Sequence, residues 1–208
     1  MSAWLSSLFV DHAVFRVVWA NWGVVVPGRV YRSSHPLPCR LRLEVARQGV
    51  RTVVNLRGAA ANPSTSLSAA AAARLGIDHV FMAFESRGAP HRERILRFHA
   101  IYQEMRFPAL IHCKSGADRA GLAAGLVVLF EGGTAAAAAR QLTWRHGHVS
   151  ASPTGILDAF FHLYAAEGEG RKPFLDWVRE DYREAELNRR FRARGFFTFL
   201  NDRLLRRE

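Results

Sequence analysis

The sequence has few of the residues that hold small domains together through covalent bonds or metal ions. It contains two cysteines, Cys39 and Cys113, which lie far apart and form no C-x-x-C or Cys/His cluster. This spacing predicts neither a disulfide framework nor a zinc site. At 208 residues the chain is long enough to bury a core without such links. We therefore expect one domain with reduced thiols and with no metal or other cofactor.

Lysine is scarce as well, since Lys114 and Lys172 are the only two and arginine supplies nearly all of the positive charge. The formal net charge of +11 should attract polyanions such as nucleic acid, acidic lipid or phosphorylated substrates. Composition does not choose among them, and a GC-rich coding genome would produce the same arginine bias. We do not expect nucleic-acid binding, because the sequence has no motif that combines aromatic and basic residues in the required way.

No apolar run is long enough to suggest a membrane span. Residues 1–27 are apolar and rich in tryptophan, but charged and polar residues interrupt them and a basic leader region is absent. We expect this segment to be an arm packed on the domain, with an interfacial helix on a bilayer as the alternative. Residues 169–208 form a basic helical extension, which is expected to pack on the domain or to contact lipid through "FRARGFFTFL". The expected location is cytoplasmic, with peripheral membrane association as an option.

Between residues 28 and 168, apolar β-branched runs alternate with segments of helical periodicity. The alternation predicts an α/β fold with a central, mostly parallel sheet flanked by helices. Beyond residue 121 the pattern is helical throughout. The predicted strands lie in "RVYRSSHP", in residues 50–56 of "VRTVVNLRG", in "DHVFMAFESRGAP" and in "FPALIHC". The predicted helices between them are "PLPCRLRLEVARQG", "SLSAAAAARLGI" and "HRERILRFHAIYQEM", and the later helices are "GLAAGLVVLFEGG", "TAAAAARQLTWRHG" and "SPTGILDAFFHLYAAEG".

In sheets of this kind, ligands bind beyond the carboxyl ends of the strands. That edge would gather the loops "RSSHP", "NLRGAAANP", "ESRGAP" and "CKSGADR". Arg57 and Arg87 lie in two of these loops, where they could bind a second phosphate or another acidic part of a substrate. The alternative for each is an ordinary solvated arginine.

The segment "LIHCKSGADRAGLAAGL" carries the strongest chemical signal. A strand ends at His112, a loop follows, and a helix begins near Ala120, so backbone N–H groups and the helix N-terminus converge on one point and can bind an oxyanion. The same environment favours the thiolate of Cys113. Arg119 can hold a phosphoryl group with two N–H donors, and Gly116 lets the loop curl with its amides inward.

The stretch "HCKSGADRAG" closely resembles the signature H-C-(five residues)-R-(S/T)-G of the cysteine-dependent tyrosine and dual-specificity phosphatase superfamily. The resemblance extends more loosely over residues 28–165, where "GRVYRSSHP" and "GVRTVVNLRG" look like the opening strands of compact bacterial and fungal members. It implies a three-layer phosphatase-type domain, a phosphocysteine intermediate and no metal. By position, it makes Cys113 the nucleophile, Arg119 the phosphate-binding arginine and His112 a brace for the loop. The substrate cradle would be the backbone of Lys114, Ser115, Gly116 and Ala117 up to the arginine.

Two departures from the superfamily pattern concern proton transfer and turnover. Ala120 replaces the usual Ser or Thr, whose hydroxyl helps the thiolate to leave, so Ser115 or a water would have to substitute. Many relatives carry an aspartate roughly thirty residues before the cysteine as proton donor. The corresponding stretch here, "FMAFESRGAPHRER", contains no aspartate, and its nearest carboxylate is Glu85. We favour Asp118 over Glu85 as the donor, with a structural role for either as the alternative.

The resemblance leaves the substrate open between a phosphoprotein and a phospholipid or phosphoinositide. The pair Lys114 and Asp118, the net charge and the apolar ends favour a non-protein phosphate at a membrane surface. The alternative function is a catalytically weak pseudophosphatase that binds phosphorylated ligands.

His146 and His148 are expected to be surface or structural histidines, and a disulfide between Cys39 and an oxidised Cys113 is a further, disfavoured option.

Overall fold

The computed structural model describes residues 20–59, 63–85 and 87–192. Most of the predicted N-terminal arm, and the C-terminal segment from residue 193 onward, therefore lie outside the described residues. The expectations of membrane contact that rest on these two segments stay predictions. Within the described residues, no helix is both long enough and apolar enough to span a bilayer.

A five-stranded sheet forms the centre of the domain, with the strand order β1-β2-β5-β3-β4. Strand β1 is antiparallel to β2, and all other neighbours are parallel, which confirms the predicted mostly parallel sheet. Strand β1 was not predicted, because its apolar residues continue the composition of the preceding segment. The strands are β1 (Gly23–Val26), β2 (Val30–Ser33), β3 (Thr52–Asn55), β4 (Asp78–Phe81) and β5 (Ala109–His112).

Seven named helices surround the sheet, and most match the predicted segments. The exception is "TAAAAARQLTWRHG", which was predicted as one helix but forms a short helix and, after a break, a 3-10 turn at Trp144–His146. The helices are α1 (Pro38–Gln48), α2 (Pro63–Arg74), α3 (Arg92–Glu104), α4 (Asp118–Phe130), α5 (Ala135–Ala139), α6 (Ile156–Glu167) and α7 (Phe174–Glu180). A second 3-10 turn at Pro153–Gly155 precedes α6, and residues 184–192 are also helical.

The register of the parallel strands brings the loops after four strands to one level. Ser33 at the end of β2 and Asn55 at the end of β3 are both aligned with His112 at the end of β5. Asn55 is in turn aligned with Phe81, the last residue of β4. The loops after these strands therefore leave the same edge of the sheet, as the alternation of strands and helices predicted.

The core lies on both faces of the sheet, which gives the domain three layers. The larger cluster includes α4, whose small residues allow close packing: a Cβ at Gly125 would lie 2.8 Å from the carbonyl oxygen of Ala138. The smaller cluster covers the other face and includes Tyr31, Leu41 and Val53. Helix α4, which follows the Cys113 segment, is thus fixed within the larger core.

The residues after α6 belong to this larger core. Phe174, Trp177, Tyr182 and Leu187 are buried in it, and the Tyr182 hydroxyl donates a hydrogen bond of 2.8 Å to the carbonyl oxygen of Pro90. The described part of the C-terminal extension is therefore an integral part of the domain.

We predict that Trp177→Ala lowers the free energy of unfolding by about 3–5 kcal/mol, because it removes a large side chain that is 1% exposed. Trp144→Ala is the matched control, since that side chain is 87% exposed. Urea unfolding of both variants measures the difference. A similar small effect of the two substitutions would contradict the placement of α7 in the core.

Candidate active site

Residues 113–119, called here the Cys113 loop, follow β5 and include the first two residues of α4. The Cys113 side chain is 2% exposed, and the backbone N–H of Gly116 donates a hydrogen bond of 3.2 Å to its Sγ atom. The N–H of Ala117 donates to Ser115 Oγ over 3.3 Å. The loop thus curls around the sulfur as the sequence predicted.

Gly116 is required by this curl for two reasons. Its φ of +81° lies in the left-handed region, and a Cβ atom there would be 2.7 Å from the backbone nitrogen of Ser34. A side chain would therefore be strained by the backbone and would also collide with the loop after β2.

Four successive carbonyl groups of the Cys113 loop are held from outside the loop. The N–H of His35 donates to Lys114 O over 3.2 Å, and Asn21 Nδ2 donates to Ser115 O over 2.8 Å. Arg32 Nη2 donates to the carbonyl oxygens of the next two residues, over 2.7 and 3.1 Å. Because the C=O and N–H of one peptide unit point in opposite directions, these bonds turn the following N–H groups away from Arg32 and His35.

Arg32 is a fully buried cation on β2. Its Nη1 donates to the carbonyl oxygen of Gln141 over 2.5 Å, so the guanidinium links the Cys113 loop to the segment after α5. Burial lowers the pKa of Arg32 to about 10, and the attraction of Cys113 opposes this effect. The side chain therefore stays charged at neutral pH, which places a positive charge behind the Cys113 loop.

Asn21 makes a second link to the segment after α5. Besides Ser115 O, its Nδ2 donates to the carbonyl oxygen of His146 over 2.8 Å, and its Oδ1 accepts from His146 Nδ1 over 2.6 Å. Burial, with the charges of Arg32 and Arg145, lowers the pKa of His146 to about 4. His146 is therefore neutral and structural, as predicted.

His112 contacts the loop directly from the end of β5, and Arg57 is connected to it through His35. His112 is fully buried, and its Nδ1 lies 3.4 Å from the carbonyl oxygen of Cys113. Burial, and then the neighbouring His35, hold the pKa of His112 well below its ordinary value, so the ring is a neutral brace. Arg57 Nη1 lies 3.3 Å from His35 Nδ1, which joins Arg57 indirectly to the loop.

His148 lies between two carboxylates, Asp118 in the Cys113 loop and Asp158 in α6. Its Nδ1 is 2.8 Å from Asp118 Oδ1 and its Nε2 is 2.7 Å from Asp158 Oδ2. Burial of the ring opposes a positive charge, but the two hydrogen bonds outweigh burial and raise the pKa of His148 to about 9. His148 is thus an imidazolium at neutral pH, with both ring nitrogens acting as donors.

The two other charged residues proposed for the site are placed differently. Glu85 Oε1 pairs with Arg94 Nη1 at 2.5 Å and lies 3.5 Å from His91 Nε2, so this carboxylate is engaged at the start of α3. Arg87 is exposed, and no hydrogen bond or ion pair joins it to the Cys113 loop in the described structure. The geometry therefore brings Asp118 and Arg57 into the network around the loop, but neither Glu85 nor Arg87.

The other residues predicted for the site differ in how far they are exposed to solvent. Lys114 and Ser115 are exposed, Arg119 is half-buried, and Ala120 is fully buried in the first turn of α4. Cys39 is exposed on α1, whereas Cys113 is buried. No group of three or more metal-ligating side chains is found among residues 20–59, 63–85 and 87–192.

Sequence reasoning did not find Arg32 or Asn21, and it did not assign His148 to the site. One signal was available, since an arginine inside the apolar strand "VYRS" is an unusual choice that needs a buried partner. Nothing near Asn21 or His148 in the sequence identifies their partners, which lie 94 and 30 residues away.

Comparisons with known proteins agree with this geometry. The family described as "DSP-PTPase phosphatase fused to NAD+ Kinase" matches residues 44–141, a little under half of the chain. Among curated proteins, none matches the sequence.

Solved structures of phosphatases share the fold at low sequence identity. The core catalytic domain of the PP-IP phosphatase SIW14 from S. cerevisiae is 16% identical, with a TM-score of 0.50 over 85% of this chain and 94% of that one. TpbA of P. aeruginosa is 19% identical, with a TM-score of 0.52 over 71% and 92% of the two chains. A DUF442 protein from Shewanella putrefaciens CN-32 is 20% identical, with a TM-score of 0.55 over 74% and 95%.

The shared fold and the family match over residues 44–141, which is described as a DSP-PTPase phosphatase, agree with the resemblance seen in the sequence.

We predict that Arg32→Lys lowers the affinity for tungstate, an oxyanion probe, by at least about tenfold, because one ammonium cannot hold the Gly116, Ala117 and Gln141 carbonyls together. Calorimetric titration measures the affinity. Arg97→Lys is the control, since Arg97 is exposed on α3. Unchanged binding in Arg32→Lys would show that the guanidinium does not shape the loop.

We also predict that stability falls as the pH rises through about 9, because His148 then loses its proton. The contribution is fully present below the ordinary histidine pKa of about 6.5. A pKa difference of this size corresponds to about 3 kcal/mol in the free energy of unfolding. We expect roughly half of that value, since Asp118 and Asp158 are 24% and 17% exposed and solvent screens their attraction to His148. Urea unfolding of the native protein and of His148→Gln at pH 7 and pH 10 isolates this contribution. Equal pH dependence of the two proteins would refute it.

Proposed function

We propose that this protein hydrolyses phosphomonoesters through a phosphocysteine intermediate on Cys113. The observation that carries the proposal is the hydrogen bond from the Gly116 N–H to Cys113 Sγ, which shows that the loop directs a donor at the position of the nucleophile. The buried guanidinium of Arg32 supports this loop geometry, since it holds the carbonyls of Gly116 and Ala117.

In the first step, the Cys113 thiolate attacks phosphorus in line with the ester oxygen. An S–P bond forms, the P–O bond breaks, and the alcohol or phenol oxygen leaves with the electron pair of that bond. The inward N–H groups of the loop and the Arg119 guanidinium would hold the three equatorial phosphoryl oxygens. The loop peptides are already held through their carbonyls, so their N–H groups would stabilise the redistributed charge of the transition state without reorganising.

In the second step, water attacks phosphorus and the S–P bond breaks, which releases inorganic phosphate and restores the thiolate. Ala120 provides no hydroxyl to assist the departing sulfur. Ser115 Oγ already accepts a hydrogen bond from the Ala117 N–H, but its own proton can still be donated. We therefore expect this step to limit turnover.

The substrate is proposed to be either a phosphotyrosine protein or a phospholipid-type phosphate. One structural neighbour, a cysteine-to-serine variant of TpbA, was crystallised in complex with pTyr, and another is named a PP-IP phosphatase. The exposed Lys114 next to Cys113 and the net charge of +11 support a phosphate carried on an anionic surface. We place the activity in the cytoplasm, where a thiol nucleophile stays reduced.

A second candidate function is the binding of phosphorylated ligands with little turnover. Its support is Ala120, which is buried where the superfamily signature has a hydroxyl. This function predicts tight binding of phosphate analogues and no release of inorganic phosphate.

The decisive experiment compares the native protein with Cys113→Ser on 4-nitrophenyl phosphate. We expect kcat to fall at least about a thousandfold, because the substitution removes the nucleophile. Cys39→Ser is the matched control and should keep full activity, since this second thiol is exposed on α1. Retained hydrolysis in Cys113→Ser would reject the covalent route. Tungstate binding by a native protein without any activity would instead support the binding module.

A substrate panel then separates the two substrate classes. Phosphate release is measured from phosphotyrosine peptides, phosphoinositides and phosphatidylglycerophosphate under the same conditions. Preference for the peptides would exclude the lipid alternative, and the reverse result would exclude the protein alternative.

A further inference from the structure

The bridge from Asp118 through His148 to Asp158 is the most strongly built charged group near the Cys113 loop. The His148 side chain is completely buried, and both of its nitrogens are within 2.8 Å of a carboxylate oxygen. Asp118 uses Oδ1 for this bridge, while its other oxygen has no hydrogen-bond partner among the described residues. A partly exposed carboxylate oxygen is thus held in a fixed position at the start of α4.

The charges around His148 determine the protonation state of this bridge. The titratable groups that interact with His148 are Asp118 from α4 and Asp158 from α6, and both are acidic. A buried imidazole that donates from both nitrogens to carboxylates is an imidazolium, which agrees with its raised pKa of about 9. The bridge therefore contains one positive and two negative charges at neutral pH.

This arrangement matters for the role of Asp118. A proton donor in the first step must carry a proton when the substrate binds, and a phosphate dianion nearby would favour such a proton. The His148 imidazolium opposes this effect, since it stabilises a negative charge on Asp118 from the opposite side. A carboxylate held in this form can accept a proton from water but cannot donate one to a leaving oxygen.

Resting on the function proposed above, we infer that His148 is a positioning residue that, supported by Asp158, fixes Asp118 as the base of the second step. Asp118 takes a proton from the water that attacks the phosphocysteine, and the S–P electron pair returns to sulfur. The first step then proceeds without a donor, and its rate depends on the basicity of the leaving oxygen. The sequence favoured Asp118 as a proton donor, and its contact with His148 favours the base role instead.

Rapid-mixing kinetics with 4-nitrophenyl phosphate test this inference, because the phenolate is released in the first step and turnover reports the second. We expect His148→Gln to lower kcat at least about tenfold while the rate of the initial phenolate burst stays within about twofold. Asp118→Asn should do the same, and Asp158→Asn should have a smaller effect in the same direction. His162→Gln is the matched control, since His162 is exposed on the same helix as Asp158 and should change neither rate.

The outcomes separate this inference from its alternatives. If His148→Gln or Asp118→Asn slows the burst, and slows it more with phenyl phosphate than with 4-nitrophenyl phosphate, Asp118 is the proton donor and the inference is wrong. If His148→Gln lowers the burst rate, kcat and tungstate affinity together, His148 only supports the shape of the loop, which also overturns it. If the native protein releases no more phenolate than Cys113→Ser, the proposed function fails and the inference falls with it.

Discussion

The active-site architecture depends on hydrogen bonds that hold the carbonyl groups of one short loop from behind. A peptide chain does not direct consecutive N–H groups at one point by itself, because those N–H groups repel one another and leave the carbonyls without partners. Here Arg32 binds the carbonyls of Gly116 and Ala117, while His35 and Asn21 bind the two before them. Each bond fixes one peptide unit, so the donor surface around Cys113 exists before any anion arrives.

The choice of a buried arginine for this task has an electrostatic consequence. Burying a guanidinium is unfavourable unless its donors are satisfied, and the two Nη atoms of Arg32 donate to backbone carbonyls and not to a carboxylate, while its buried Nε has no hydrogen-bond partner among the described residues. A carboxylate partner would have cancelled its charge. Because the partners are neutral, the positive charge of Arg32 is not cancelled beside the Cys113 loop.

Local signals in the sequence predicted the parts of this site that local chemistry determines. The alternation of strands and helices predicted the parallel sheet, and the loop between His112 and Ala120 was recognisable because its cysteine, glycine and arginine are close together in sequence. The supporting residues could not be predicted in the same way. Arg32 lies 84 residues from Gly116, and which carbonyl a buried arginine contacts depends on how β2 and β5 align.

The break in the predicted helix after α5 shows how the fold and the site constrain each other. In a continuous α-helix, the carbonyls of residues 141 and 146 would accept hydrogen bonds from N–H groups four residues later. In this protein Gln141 O accepts from Arg32 instead, and His146 O accepts from Asn21. The irregular segment also places His148 against Asp118. The alanine-rich stretch favours helix by intrinsic propensity, but its second half is not α-helical. The carbonyls that are free of helical hydrogen bonds there bind the residues that shape the Cys113 loop.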